Sequence, residues 1–259
     1  MITFFTDKYI NSFFGDEAKR LLSQNNDSRF FEPSIGIRVI DIDRWSEAQE
    51  YERKTWCDSP AMNMSEDRHH DHIKYFTNYS TLNFCFNKED LSLIELGCGP
   101  FTNIRHMLPQ IRKRIKNIEL LDPLIDEYKS RSPNCSYKND ILSNFKVTTI
   151  RSSIEGYHFN KTYDLIVLVN VLEHCYDIDL IFDKILNMMD ENSVLVFNDH
   201  FYKDKDIIDL PQNSYDAGHP LQVSESYINK KLGGFKRIYY NYYEDEQGRN
   251  IKYLILKKK

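Results

Sequence analysis

The spacing of hydrophobic positions changes near residue 90, and the change divides the chain into two kinds of segment. Before it, Trp45, Ala48, Tyr51, Glu52 and Trp56 fall at three- and four-residue steps, which predicts a helix with a mixed face. A second helix is predicted from about Ser65 to Tyr79, bringing His69, His72, Ile73 and Phe76 near one another. Residues 1–90 therefore read as a mostly helical lid or substrate cap, and residues 91–259 as the main domain. There, short β-type runs alternate with helical ones. The predicted strands are LSLIEL (91–96), NIELLD (117–122), KVTTIR (146–151), YDLIVLVN (163–170) and SVLVFND (193–199). Between them come a glycine turn with a helix ending near Arg114, a helix through Tyr128, and the helix DIDLIFDKILNMM. Such alternation implies right-handed crossovers and a parallel sheet covered on both faces.

The end of the chain departs from that rhythm. A helix from Glu225 to Leu232 stops at Gly233-Gly234, a C-cap signal. FKRIYYNYY (235–243) and IKYLILK (251–257) then flank a polar turn and read as a β-hairpin. A parallel α/β sheet finishing in an antiparallel hairpin is a narrower signature than alternation alone.

Composition removes several function classes. Length, at 259 residues, suits one large domain with an appendage. Lys and Arg total 34 against 39 Asp and Glu, a net charge of −5, so the basic footprint of a nucleic-acid binder is missing. The most apolar run, LIVLVNVL (165–172), falls far short of a bilayer span, and Asp7 and Lys8 interrupt any signal-peptide core. The five cysteines (57, 85, 98, 135, 175) are scattered without a CxxC pair, as expected of reduced thiols in a cytoplasmic protein.

The strongest chemical signal is IELGCGPFTN, residues 94–103. A strand ends, two glycines let the backbone turn and approach a ligand closely, and a helix begins. Asp122 ends the next strand, where a carboxylate accepts hydrogen bonds from both hydroxyls of a ribose. A dinucleotide fingerprint needs a third small residue after Gly97 and Gly99, and that position is Thr102. Glu95 adds a carboxylate that suits a cationic ligand better than a pyrophosphate.

At these residues the chain resembles the class I S-adenosylmethionine-dependent methyltransferases. The likeness covers roughly residues 91–257 and rests on ELGCGPFTN, LLDP with Asp122, RSSIEGY, YDLIVLVNVLEH and the terminal hairpin. It implies a Rossmann-like α/β fold: a seven-stranded, mostly parallel sheet with an antiparallel last strand, preceded here by the N-terminal helical lid. It assigns Glu95, Gly97, Cys98 and Gly99 to the methionine moiety of S-adenosylmethionine, and Asp122 and Pro123 to the ribose. Ser153 and Ile154 would border adenine, where many relatives carry Asp, while Asn170 and Val171 would line the methyl-donor side.

Ligands of open α/β sheets lie beyond the carboxyl ends of the strands. That rule singles out Glu173 and His174 after the fourth strand and Asp199 and His200 after the fifth. The segment YDAGHPLQVS adds Asp216 and His219. A hydroxyl acceptor must lose a proton as it attacks, and histidine has the pKa for that task. His200, His219 and Asp199 are therefore the catalytic candidates, and His174, His69, His72 and Asp216 the substrate-contact candidates. Their spacing specifies no metal site. NVLEH stands where methylases of nucleic-acid amines carry NPPY-like motifs, so a small polar acceptor is expected. The lid and the YDAGHP loop have a looser likeness to methyltransferases of bacterial capsule and surface-carbohydrate pathways. O-methylation of a sugar, nucleotide-linked sugar or phosphorylated intermediate is the expectation. N-methylation of an amino sugar or other small amine comes second. A non-catalytic nucleotide sensor and a dehydrogenase are the remaining alternatives.

Overall fold

The computed structural model describes residues 31–58, 79–132, 135–138, 140–208, 216–244 and 248–259. The predicted helix from Ser65, with His69 and His72, lies outside the described residues up to position 78. In chain order the elements are β1 (Phe31–Glu32), β2 (Gly36–Ile37), α1 (Ile42–Arg53), β3 (Asp90–Leu96), α2 (Ile104–Met107), β4 (Arg114–Leu121) and α3 (Ile125–Arg131). There follow α4 (Asp140–Ser143), β5 (Val147–Ile150), β6 (Leu165–Val169), α5 (Ile178–Asn187), β7 (Val194–Phe201) and α6 (Asp204–Ile207). The last are β8 (Gln222–Val223), α7 (Glu225–Leu232), β9 (Phe235–Glu244) and β10 (Asn250–Lys258).

Seven strands form one sheet in the order β5-β4-β3-β6-β7-β10-β9. The first five pair in parallel. β10 enters antiparallel beside β7, and β9 closes the edge by pairing with β10. The sheet is thus the expected Rossmann-like one, with its reversed last strand. β6 sits at its centre and reads LIVLV without a polar position, because both its faces are covered. Neighbouring residues feed opposite layers: Ile166 and Leu168 join the layer under α5 and α7, and Leu165, Val167 and Val169 the one under α2 and α3. Each such side chain contributes roughly 1.5–3 kcal/mol by leaving water.

α5 opens where the Asp177 carboxylate accepts from the Leu180 amide at 3.0 Å. α7 opens on Ser224 and ends at Gly233, as the sequence signals. The helix after the glycine turn is the main difference from expectation. It ends at Met107, and a single 3-10 turn over Leu108–Gln110 follows. Pro109 lacks the amide a longer helix needs, so Arg114 begins β4 instead of ending a helix. β7 is also longer than predicted, so Asp199 and His200 lie inside it, paired with Lys252 and Ile251, rather than after it.

The N-terminal region is tied to the main domain. β2 pairs with β8 in a three-stranded sheet, β1-β2-β8, joining Gly36 and Ile37 to Val223 and Gln222. α1, capped by Asp41, packs its Trp45 indole edge-on to Tyr176 at 5.4 Å. After α1 the chain widens into a π turn, Lys54–Asp58, which sets Trp56 against Phe101 of the glycine loop.

Candidate active site

The glycine loop lies between β3 and α2. Gly97 and Gly99 both have left-handed backbones, with φ of 65° and 54°. A Cβ on Gly97 would come within 2.5 Å of a Val171 methyl, so only glycine lets β6's exit pack against the loop. A Cβ on Gly99 would meet nothing within 4 Å, which leaves its face open to a ligand. The loop is pinned from behind. Amides of Gly97 and Cys98 donate to the Leu121 carbonyl at 2.8 and 3.1 Å, and the Tyr137 hydroxyl donates to the Gly99 carbonyl.

Glu95 holds the loop's far side. Its buried carboxylate accepts from the Asn103 amide at 2.8 Å, the Asn103 side chain, the Ile104 amide and the Thr102 hydroxyl. It therefore neutralises the free amides opening α2. Burial pushes its pKa up to about 7 against those hydrogen bonds. The residue expected to face the methionine moiety is spent on loop shape. Cys98, 1 % exposed, packs beside the Tyr137 hydroxyl, and burial raises its thiol pKa well above the ordinary value.

Asp122 meets the loop from β4. Its Oδ2 accepts from the Gly99 amide at 2.9 Å and its Oδ1 from the Leu124 amide at 2.8 Å. A carboxylate has about four lone-pair sites, so each oxygen keeps one for a ribose hydroxyl. Burial raises its pKa to about 6 despite the two amides. Pro123, half-buried, follows directly. On the next strand's exit, Ser153 Oγ accepts from the Gly156 amide at 2.9 Å, while Ile154 is buried. Glu155 ties this turn to the far wall by accepting from the Tyr176 amide at 2.7 Å.

At the exit of β6, Asn170 adopts a left-handed backbone, φ 57°, a conformation asparagine tolerates better than most residues. Its buried Oδ1 has no hydrogen-bond donor. Asp199, fully buried, accepts from the amides of Val171 (3.1 Å), Leu172 (2.8 Å) and His200 (2.9 Å), and so sets the turn that carries Glu173 and His174. Burial and the like charge of Glu173 raise its pKa. Those three amides make Asp199 a positioning group and leave it no exposed surface. His200 is also buried; against the cost of burial, His219, Arg249 and then His200 together lower the pKa of Glu173.

Opposite this turn stands the 216–221 loop. Asp216 Oδ1 accepts from the amides of Gly218 and His219, and its Oδ2 is 2.8 Å from His219 Nδ1. Burial works against charge on His219, yet the carboxylates of Asp216 and Glu173 outweigh it and hold the pKa up at about 10. His219 and His174 meet edge-on, ring centroids 4.6 Å apart. Nδ1 of His174 lies 3.1 Å from the Gly218 carbonyl, so that nitrogen carries the proton. The third wall is α1, in the segment read as a substrate cap, though sequence reading assigned its Arg44 and Glu52 no site role. Arg44 donates to the carbonyls of Asp216 and Ala217, and Glu52 accepts from the Trp56 indole at 2.8 Å while facing His174 Nδ1 at 3.8 Å. The available signal was a carboxylate set among Trp45, Tyr51 and Trp56 at helical spacing.

The two groups are neighbours. Gly97 packs on Val171, Glu52 is near enough to Asp122 to act on its charge, and Glu52, Glu173, His174, Asp216 and His219 cluster beyond the Val171 turn. An open glycine face, free carboxylate lone pairs on Asp122 and the donor-less Asn170 Oδ1 fit a nucleoside carrying an amino-acid tail.

Comparison with known proteins agrees. The family model described as a methyltransferase domain matches residues 66–233, more than half of the chain. No curated protein matches its sequence. Among solved structures, the N-methyltransferase NodS from Bradyrhizobium japonicum, in complex with S-adenosyl-L-homocysteine, is similar at a TM-score of 0.56 and 14% identity, over 82% of this chain and 99% of that one. A putative methyltransferase from Bacillus halodurans gives 0.53 and 12%, over 71% and 100%. The DhpI-SAM-HEP complex gives 0.52 and 12%, over 83% and 99%. At those identities the likeness is one of fold.

Proposed function

The chain belongs to the S-adenosylmethionine-dependent methyltransferases, and from that premise we propose that it methylates a hydroxyl of a small sugar-like acceptor held between α1 and the 216–221 loop. The observation that carries this reading is the closeness of Glu52, which faces the histidine cluster, to Asp122 at the glycine loop. Bound S-adenosylmethionine supplies an electrophilic methyl on a sulfonium. This chain's own residues do the rest by positioning, which accounts for much of the barrier in an in-line displacement.

Asp122 receives the ribose hydroxyls, and the open side of Gly99 admits the methionine portion. Ser153 and Ile154 border the adenine, and Asn170 and Val171 the methyl side. His219, a cation at neutral pH, donates to an acceptor oxygen while Asp216 fixes its ring. His200 takes the proton the hydroxyl releases, steadied by the turn that Asp199 builds. The three carboxylates at the acceptor mouth outnumber the cations His219 and Arg249 beside them, which favours an acceptor that presents a neutral sugar ring there. Work on a surface carbohydrate such as capsule, in the cytoplasm, is the finer form of the proposal. The described cysteines are all free thiols, and no helix among the described residues is long and apolar enough to cross a membrane.

The same carboxylates favour a second reading, N-methylation of a small amine, with Glu52 and Glu173 attracting the ammonium form. The two readings part on one experiment. Turnover of a panel of sugars, nucleotide sugars and amino sugars is followed by S-adenosylhomocysteine release, for the native chain and for His200→Ala. Hydroxyl methylation predicts a large loss of turnover with cofactor affinity kept. Full activity of His200→Ala on an amine would replace the first reading with the second.

A further inference from the structure

The cofactor side and the acceptor side of the site meet at Glu52, in the last turn of α1 just ahead of the π turn. Its Oε2 accepts from the Trp56 indole at 2.8 Å, and the Trp56 ring stands edge-on to Phe101 of the glycine loop at 5.9 Å. The carboxylate therefore sits on an arm that the glycine loop supports. Asp58 braces the same arm by pairing with Arg53 at 2.9 Å and with Arg131 of α3. Toward the ribose side, the charge of Glu52 adds to burial in raising the pKa of Asp122 and of Tyr128. Toward the acceptor side, its Oε1 faces His174 Nδ1 at 3.8 Å, and a Cβ on Gly218 would stand 2.7 Å from it.

That Oε1 is left for a ligand. The proton on His174 Nδ1 goes to the Gly218 carbonyl at 3.1 Å, and 3.8 Å is too long for a hydrogen bond. Among the described residues no donor reaches Oε1, and no lysine or arginine pairs with Glu52. The neighbouring acids are matched: Asp216 and Glu173 both stand against His219, and Glu173 also against Arg249 at 3.5 Å. With its side chain only 13% exposed, the Glu52 carboxylate acts through a medium that screens charge less than water does.

Given the histidine cluster as the acceptor side, a premise shared with the proposed function, the transferred methyl lies where the two sides meet, and the sulfonium lies beside it. We propose that Glu52 reads the charge of that sulfonium, so that the site holds S-adenosylmethionine in preference to S-adenosylhomocysteine. The ribose, the adenine and the amino-acid tail are common to both molecules, so Asp122 and Gly99 cannot tell them apart. In the transfer the bond from sulfur to methyl breaks, its electron pair stays on sulfur, and the methyl joins the acceptor oxygen as that oxygen releases its proton. Sulfur is then a neutral thioether. The attraction to Glu52 ends as the product forms, which loosens S-adenosylhomocysteine and favours its exchange for a fresh cofactor.

The test is calorimetric titration of the full chain with S-adenosylmethionine and with S-adenosylhomocysteine, for the native protein, Glu52→Gln and Asp122→Asn. Glutamine keeps the shape and an acceptor for the Trp56 indole but removes the charge. The expected result in Glu52→Gln is about a tenfold loss of S-adenosylmethionine affinity, with S-adenosylhomocysteine affinity within threefold of native, which also confirms folding. The native chain should itself bind S-adenosylmethionine the more tightly, a result that needs no folded variant. An unchanged ratio of the two affinities in Glu52→Gln, or tighter native binding of S-adenosylhomocysteine, would overturn the proposal. Asp122→Asn should weaken both molecules alike. If it does so while Glu52→Gln leaves the ratio unchanged, the cofactor site stands and only the role of Glu52 falls. Binding of neither molecule by the native chain would overturn both.

Discussion

Replacing Asp122 with asparagine separates what the residue does for the fold from what it does for the cofactor. In the folded chain its pKa rises to about 6 from an ordinary 3.8, because burial disfavours the charge. The folded state therefore holds the proton more tightly than the unfolded one, and stability falls as pH climbs from about 4 through 6. Two units correspond to about 3 kcal/mol of strain from the ionised carboxylate at neutral pH. Asparagine removes that charge but has one acceptor oxygen instead of two, so either the Gly99 or the Leu124 amide loses its partner, at about 1–3 kcal/mol. The two effects offset each other, and the melting temperature should move little. Affinity should not be spared. Each ribose hydroxyl loses a hydrogen bond to a charged group, together about 2–4 kcal/mol, or 30- to 1000-fold in S-adenosylhomocysteine binding. Calorimetry and a thermal melt on Asp122→Asn measure both quantities. Affinity within threefold of native, at an unchanged melting temperature, would refute the placement of the ribose.

Further expectations follow from the same geometry. Gly97→Ala should lower the melting temperature by several degrees, since its Cβ strikes Val171 at a left-handed φ; Gly99→Ala should cost only about 1–2 kcal/mol but weaken S-adenosylhomocysteine binding, seen by calorimetry beside the melt. Cofactor affinity of the native chain should fall as pH drops below about 6, where Asp122 takes up a proton, and a flat binding profile from pH 5 to 8 would contradict that. His200→Ala should lower turnover at least tenfold with cofactor affinity unchanged, as read from initial rates and calorimetry together. Glu95→Ala strips four donors of their acceptor and should destabilise by about 3 kcal/mol or more in denaturant unfolding.

Much of this was legible in the sequence wherever a strong period met a strong punctuation. LIVLV read as a buried strand and lies at the sheet's centre, and the Gly97–Gly99 turn and Asp122, paired in the motif, meet through the Gly99 amide. The individual residues that were not legible depend on contacts between distant segments. Two-residue strands such as Gly36–Ile37 carry no period, so the sheet joining them to Gln222–Val223 left no trace. Pro109 was visible, but its power to end α2 at Met107 competed with an apolar pattern running on toward Ile111. Glu95 and Asp199 read as site carboxylates because sequence shows charge but not the amides that consume it. Glu52 escaped for the opposite reason, since only folding brings α1 over His174.

The central claim is that the loop after β3 and Asp122 seat S-adenosylmethionine rather than a dinucleotide. Titrating the purified chain with S-adenosylhomocysteine and, in parallel, with NAD tests it most directly. The account predicts micromolar binding of the sulfur nucleoside and none of NAD. Binding of NAD in preference, or of neither, would contradict it.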